Sequence, residues 1–82
     1  NFPNPFNPST KIRFDISGTS AAKTSLIVYD ILGREVTVLV NEKLTPGGYE
    51  VYFDGSNLPS GVYYYKISTG NFSETKRMVL VK

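Results

Sequence analysis

Gly61-Val62-Tyr63-Tyr64-Tyr65-Lys66-Ile67-Ser68-Thr69, reached through Asn57-Leu58-Pro59-Ser60, decides the fold. β-Branched and aromatic residues follow a Pro-Ser-Gly turn, the strongest strand signal in the chain. Read with a period of two, Tyr63, Tyr65 and Ile67 share one face, and Val62, Tyr64 and Lys66 share the other. The first set is apolar-bodied throughout while the second ends in a charge, so the first is the predicted core face. Three tyrosines bring large contact areas together with hydroxyls that need partners, which suits a strand near the middle of a sheet.

Working outward, Gly70-Asn71 turns this strand into Phe72–Val81, where Met78 and Leu80 are predicted to face the core and Lys76 and Lys82 share their parity. Upstream, Asp54-Gly55-Ser56-Asn57 has turn chemistry, and Gly48–Asp54 is a strand with Tyr49, Val51 and Phe53 in phase. Glu42–Pro46 is a connection. In Glu35–Asn41, Val36, Val38 and Val40 alternate but Leu39 breaks the pattern, which predicts a bulge. Asp30-Ile31-Leu32-Gly33-Arg34 reads as a reversal with Gly33 at positive φ. Thr24–Asp30 buries Leu26 and Val28. Lys11–Ile16 alternates Ile12, Phe14 and Ile16 against Lys11, Arg13 and Asp15, a half-buried strand. No segment keeps a helical period for three turns.

Residues 1–10 hold three of the five prolines, together with Phe2 and Phe6. Proline at this density excludes a helix and a central strand; the two phenylalanines predict an extended segment docked on the edge of the core. The chain of 82 residues fits one domain, with 1–10 as a Pro/Asn-rich leading segment and 11–82 as the β-sandwich. It opens without an initiator Met or a signal peptide, which predicts a domain from the end of a longer precursor.

Leu44-Thr45-Pro46-Gly47-Gly48-Tyr49 and Leu58-Pro59-Ser60-Gly61-Val62-Tyr63 share the pattern Leu-x-x-Gly-x-Tyr. It resembles the tyrosine corner of Greek-key sandwiches, in which a tyrosine hydroxyl returns to backbone a few residues upstream. Two such corners predict strands that cross between sheets, hence a sandwich and not an open sheet.

The composition removes most chemistry. Without cysteine or histidine, thiolate catalysis, imidazole bases and the commonest metal ligand are gone. The seven carboxylates are scattered over strands and turns, so neither a catalytic nor a metal or cofactor site is predicted. Asp54-Gly55-Ser56-Asn57 has oxygen donors but only one carboxylate, and reads as a turn and not as a calcium loop. Nine basic residues against seven acidic ones make no nucleic-acid footprint. Lys66, Lys76, Arg77 and Lys82 gather toward the last hairpin, either as a basic stripe with Tyr64 or as protection of an edge strand. Tyr29, Tyr52 and Tyr64 are the candidates for a carbohydrate platform.

Together, Phe2-Pro3-Asn4-Pro5-Phe6-Asn7-Pro8, Val28-Tyr29-Asp30-Ile31-Leu32-Gly33-Arg34-Glu35-Val36, Pro46-Gly47-Gly48-Tyr49, Leu58–Lys66 and Lys76–Lys82 closely resemble the C-terminal sorting domain of the bacterial type IX (Por) secretion system, type A subgroup. Ile27 departs from it, standing where a polar residue is usual. The resemblance implies an all-β, immunoglobulin-like Greek-key sandwich of about six to seven antiparallel strands without helix. It also implies a secretion address on a larger N-terminal cargo, passing through the periplasm to the cell surface or medium. The outer-membrane machinery would recognise the folded domain, and a sortase-like peptidase would often remove it and exchange it for a surface anchor. The resemblance assigns recognition to Lys76, Met78, Val79, Leu80, Val81 and Lys82, and structural motif positions to Pro5, Gly33, Gly61 and Tyr63. A last strand with a free edge would let a receptor add a strand by backbone hydrogen bonds. The competing expectation is a retained structural or adhesive module, similar to the immunoglobulin-like domain of flagellar hook-capping proteins, that self-associates through an edge strand or binds surface polysaccharide.

Overall fold

The structure, a computed structural model, describes the backbone of Pro5–Phe6 and residues 8–82. The predicted docking of Phe2, and of the Phe6 side chain, lies outside the described residues. Seven strands follow in order: β1 Pro5–Phe6, β2 Ser9–Ile16, β3 Ala22–Asp30, β4 Glu35–Leu44, β5 Gly47–Asp54, β6 Gly61–Thr69 and β7 Phe72–Leu80. They form a large sheet ordered β1-β7-β6-β3-β4 and a small sheet of β2 and β5. Among the described residues there is no helix.

The two sheets pack face to face around the alternation read in the sequence. β6 lies inside the large sheet between β7 and β3, and Tyr63, Tyr65 and Ile67 are buried. Leu26, Val28, Val40, Met78 and Leu80 complete that wall; Ile12 and Phe53 oppose them from the small sheet. Phe14 lies across from Tyr49 with ring centroids 5.5 Å apart, so both aromatic rings cover the margin of the core. Thr24 is the one buried polar residue among those described. Its hydroxyl donates to the Ala22 carbonyl at 3.0 Å and shares a hydrogen bond with the Thr69 hydroxyl at 3.2 Å, which removes the cost of burying it.

The irregular phase of β4 has the predicted origin. Leu26 pairs with Val40 but Ile27 with Val38, and Val28 pairs with Thr37 but Tyr29 with Glu35. Leu39 and Val36 are therefore extra residues, and each turns inward to pack against the core. Val38 is left exposed on the outer face. β4 also runs further than its apolar run, to Leu44, so that Thr45-Pro46 alone joins it to β5. Glu42 and Lys43 look like a loop by composition, yet they sit on an edge strand where charge is tolerated.

Both corners form. The Tyr63 hydroxyl donates to the Pro59 carbonyl at 2.7 Å, where the chain crosses from β5 back to β6. The Tyr49 hydroxyl donates to the Thr45 carbonyl at 2.6 Å, where it crosses from β4 to β5. Only the first is withdrawn from solvent. Tyr63→Phe removes a hydrogen bond made by a buried hydroxyl-bearing side chain and is expected to cost about 0.5–1.5 kcal/mol. Tyr49→Phe, with water as a substitute acceptor and donor, is expected to cost about 0.5 kcal/mol or less. Equal losses in denaturant titrations of the two variants would contradict this assignment.

One pairing departs from the antiparallel expectation. β1 runs parallel to β7, Pro5 opposite Val79 and Phe6 opposite Leu80. The proline-rich segment takes an edge position, where a missing N–H can be tolerated.

Candidate functional site

β7 and the residues after it hold the sequence-predicted recognition positions, and the ladder sorts them. Met78 lies opposite Tyr63 and Leu80 opposite Gly61; both side chains are fully buried, at 0% and 1% exposure. Val79 and Arg77 alternate to the outer face, Val79 half-buried and Arg77 exposed. Lys76 has the parity of Met78 but emerges at the open flank of the sandwich, 4.0 Å from Glu74. Val81 is exposed. Lys82 folds back on the β5–β6 loop: its N–H donates to Ser60 Oγ at 3.3 Å and its ammonium to the Ser56 carbonyl at 2.6 Å.

That loop is itself braced. Asp54 Oδ1 accepts the Ser56 N–H at 2.9 Å, and this hydrogen bond, with the nearby Lys82 charge as a lesser cause, holds the carboxyl below its ordinary pKa. The Asp54-Gly55-Ser56-Asn57 segment is thus a side-chain-stabilised turn. At the β3–β4 turn, Asp30 Oδ1 accepts the N–H groups of Arg34 and Leu32, each at 2.9 Å, and Oδ2 accepts Arg34 Nε at 2.9 Å. These bonds, the Arg34 N–H first, lower the Asp30 pKa. In the small sheet Glu50 is lowered mainly by the hydrogen bond from Arg13. All three carboxylates stabilise the fold at neutral pH, and lose that contribution as pH falls through their lowered folded values.

Gly33 sits at φ +82 after a Gly33 N–H to Asp30 carbonyl turn of 3.0 Å, with Asp30 N–H closing onto the Arg34 carbonyl at 2.9 Å. This is the three-residue hairpin with a glycine bulge, and a side chain there would be strained. Gly61 begins β6 at φ +155, another value that side-chain-bearing residues avoid. Pro5 lies in β1 against Val79. Gly33, Gly61 and Tyr63 thus shape the two turns that meet at one end of the molecule, which β7 also reaches through the Gly61–Leu80 pair.

The structure divides the predicted basic stripe. Arg77 lies opposite Tyr64 on the outer face of the large sheet, and Lys66 shares that face. Lys76 is at the flank, and Lys82 is held to Ser56. Tyr29 and Tyr64 are directly opposed across β3 and β6, whereas Tyr52 lies on the outer face of the other sheet, so no single platform joins all three. The expected free edge is also limited. Val79 and Leu80 are paired with β1, and among the described residues no second strand pairs with Phe72–Met78.

Sequence pattern alone does not single out Ile31 and Leu32, which are 66% and 73% exposed at the tip of the β3–β4 turn. They border a cavity of about 320 Å³ lined also by Leu58, Pro59, Val62 and Tyr63, at the end where β7 finishes. Two large apolar residues in succession inside a turn are the available signal, since turns favour small polar types.

The family model of the secretion system C-terminal sorting domain matches residues 1–82. The chain belongs to that family. No curated protein and no solved structure matches it. A sorting domain of this kind is the C-terminal signal of type IX secretion cargo, and the retained-module reading is not favoured. The family is not a catalytic one. Membership implies association with a cargo precursor and with the secretion machinery, and a destination at the cell surface or outside the cell. Within this sorting domain, Ile27 is half-buried between Val38 and Lys66 on the outer sheet face. Its neighbours cover the apolar departure noted from the family pattern.

Proposed function

We propose that the secretion machinery reads this sorting domain at the end of the sandwich where β7 finishes, with the six recognition positions in two roles. Met78 and Leu80 hold β7 in register from within the core, and Val79 seats it against β1. Val81 and Lys82 make the contact, aided by exposed Ile31 and Leu32, while Lys76 marks the flank. The observation that carries this is the contrast between fully buried Met78 and Leu80 and the exposed residue Val81 directly after them. A folded receptor can touch only what the core has left outside. The reading includes transit through the periplasm, recognition at the outer membrane, and removal of the domain by a sortase-like peptidase acting upstream of it. It gives no part to self-association through β4, whose edge is bulged twice and carries Glu42 and Lys43, features that oppose edge pairing.

The test deletes Val81 and Lys82 from a full precursor. Secretion of the cargo is expected to fall about tenfold or more, the equivalent of about 1.4 kcal/mol of lost recognition. Stability of the purified domain should change by about 1 kcal/mol or less, because only solvent-exposed contacts go. Normal secretion, or an unfolded domain, would sink the proposal.

A further inference from the structure

The small sheet has two strands and faces five. Between β2 and β7 the sandwich is therefore open along one flank, and each sheet brings a strand edge to it. A groove of about 480 Å³ is lined there by Ser9, Lys11, Arg13, Tyr52, Tyr65 and Lys76. It continues into a narrower one of about 280 Å³ that shares Arg13, Tyr65 and Lys76 and adds Phe14, Ile67 and Phe72. We propose that this flank takes an extended, acidic segment of a partner protein, added to β2 as a third strand of the small sheet.

Three observations converge on a strand as the occupant. First, β2 is unpaired on this side among the described residues, and its ladder phase is known. Gly55 N–H donates to the Pro8 carbonyl at 2.8 Å, so the alternation of an antiparallel ladder turns the backbone groups of Ser9, Lys11, Arg13 and Asp15 toward the open edge. Ser9, Lys11 and Arg13 are also residues that line the wider groove. Second, the groove follows β2 from Ser9 to Asp15, a length of about 20 Å at ~3.3 Å per residue. Phe14, half-buried, lies along its inner side with the covered side chains of Tyr65 and Ile67 behind it, so every second side chain of an added strand would turn toward the margin of the core. Third, the wider part presents Lys11, Arg13 and Lys76 with no carboxylate in its lining. Glu50 engages Arg13 Nε at 2.7 Å and Lys11 Nζ at 3.7 Å from the small sheet's outer face, yet the Arg13 side chain remains 79% exposed. Asp15 and Glu74 border the narrower part, and Glu74 Oε2 lies 4.0 Å from Nζ of Lys76, whose side chain is 46% exposed. An occupant that alternates carboxylates on the outer side, beside Lys11 and Arg13, with apolar residues on the inner side complements both the charge and the core margin. Lys76 and Glu74, charged residues with inward parity, oppose pairing on the β7 edge itself, which leaves β2 as the strand that receives the addition.

The probe is a capped synthetic peptide of about eight residues, matched to the groove at ~3.3 Å per residue, alternating glutamate and valine. Its control replaces each glutamate with lysine. Added to the whole domain, the glutamate peptide is expected to bind saturably and to slow amide hydrogen exchange at Ser9, Lys11, Arg13 and Asp15. Lys11→Pro should abolish that protection by removing an outward N–H while the β2–β5 ladder survives. Arg13→Glu, which leaves the backbone intact, should weaken binding about tenfold or more. The proposal is overturned if the lysine peptide binds equally well, if protection falls on β4 or β7 instead, or if no saturable binding appears. It is also overturned if the same amides are protected without peptide in a self-associated domain, because the occupant is then a second copy.

Discussion

Replacing Phe53 with alanine is expected to destabilise the domain by about 3–5 kcal/mol. Among the described residues Phe53 is the largest fully buried side chain, and it comes from the sheet with least to spare. The buried apolar side chains of β2 and β5 are only Ile12, Ile16 and Phe53, whereas the large sheet contributes Leu26, Val28, Val40, Met78, Leu80 and the inner face of β6. A two-stranded sheet is marginal by itself, so the small sheet stays in place through what it buries against the large one. Domains of this size have about 0.05–0.15 kcal/mol of stability per residue, so the loss is comparable with the lower part of that range for the whole chain. At about 4–8 °C per kcal/mol for a small domain, the midpoint should drop by tens of degrees. Thermal and denaturant unfolding of Phe53→Ala check this. A loss of about 1 kcal/mol or less would mean that Val51 and Phe14 close over the void and that the small sheet is anchored elsewhere.

The same contrast between the sheets marks what a reader of the sequence can recover. The inward phase of Tyr63, Tyr65 and Ile67 is legible because β6 is flanked by strands on both sides and its outward set includes a lysine. The bulge at Leu39 is legible because a second apolar phase within a run of valines requires an inserted residue. The corners are legible from the Leu-x-x-Gly-x-Tyr echo, since the hydrogen bond returns only four residues along the chain. Pattern assigns a residue to a face but does not name the neighbouring strand. The parallel pairing of Pro5–Phe6 with Val79–Leu80 joins opposite ends of the chain and leaves no periodic trace. The open flank between β2 and β7 follows from the five-to-two division of strands, which no local signal encodes. The capture of Lys82 by the Ser56 carbonyl is hidden for the same reason, because it depends on where a distant loop comes to rest. Among the positions expected to be recognised, alternation places Met78 and Leu80 on the core side correctly. Burial then separates these two from Val81 and Lys82, a division that the family motif alone does not make.

That division leads to the second large effect. Met78→Ala is expected to cost about 2–5 kcal/mol, since the side chain is wholly enclosed and leaves a cavity against Tyr63. Secretion of a precursor carrying it should fall, but only as far as the folded population falls. Folded-state stability rises as temperature drops toward about 10–20 °C, so secretion of the Met78→Ala precursor should recover in cells grown cool. The precursor lacking Val81 and Lys82 should stay poorly secreted at every temperature, because on the proposed reading its domain is folded throughout and lacks the contact. Measuring secreted cargo at two growth temperatures, beside the melting curves of the two purified domains, separates a residue that builds the signal from one that is read. If the Met78→Ala precursor remains unsecreted when its domain is demonstrably folded, Met78 itself is recognised. β7 would then have to leave the core for the machinery to reach it, and the folded end of the sandwich would not be what is read.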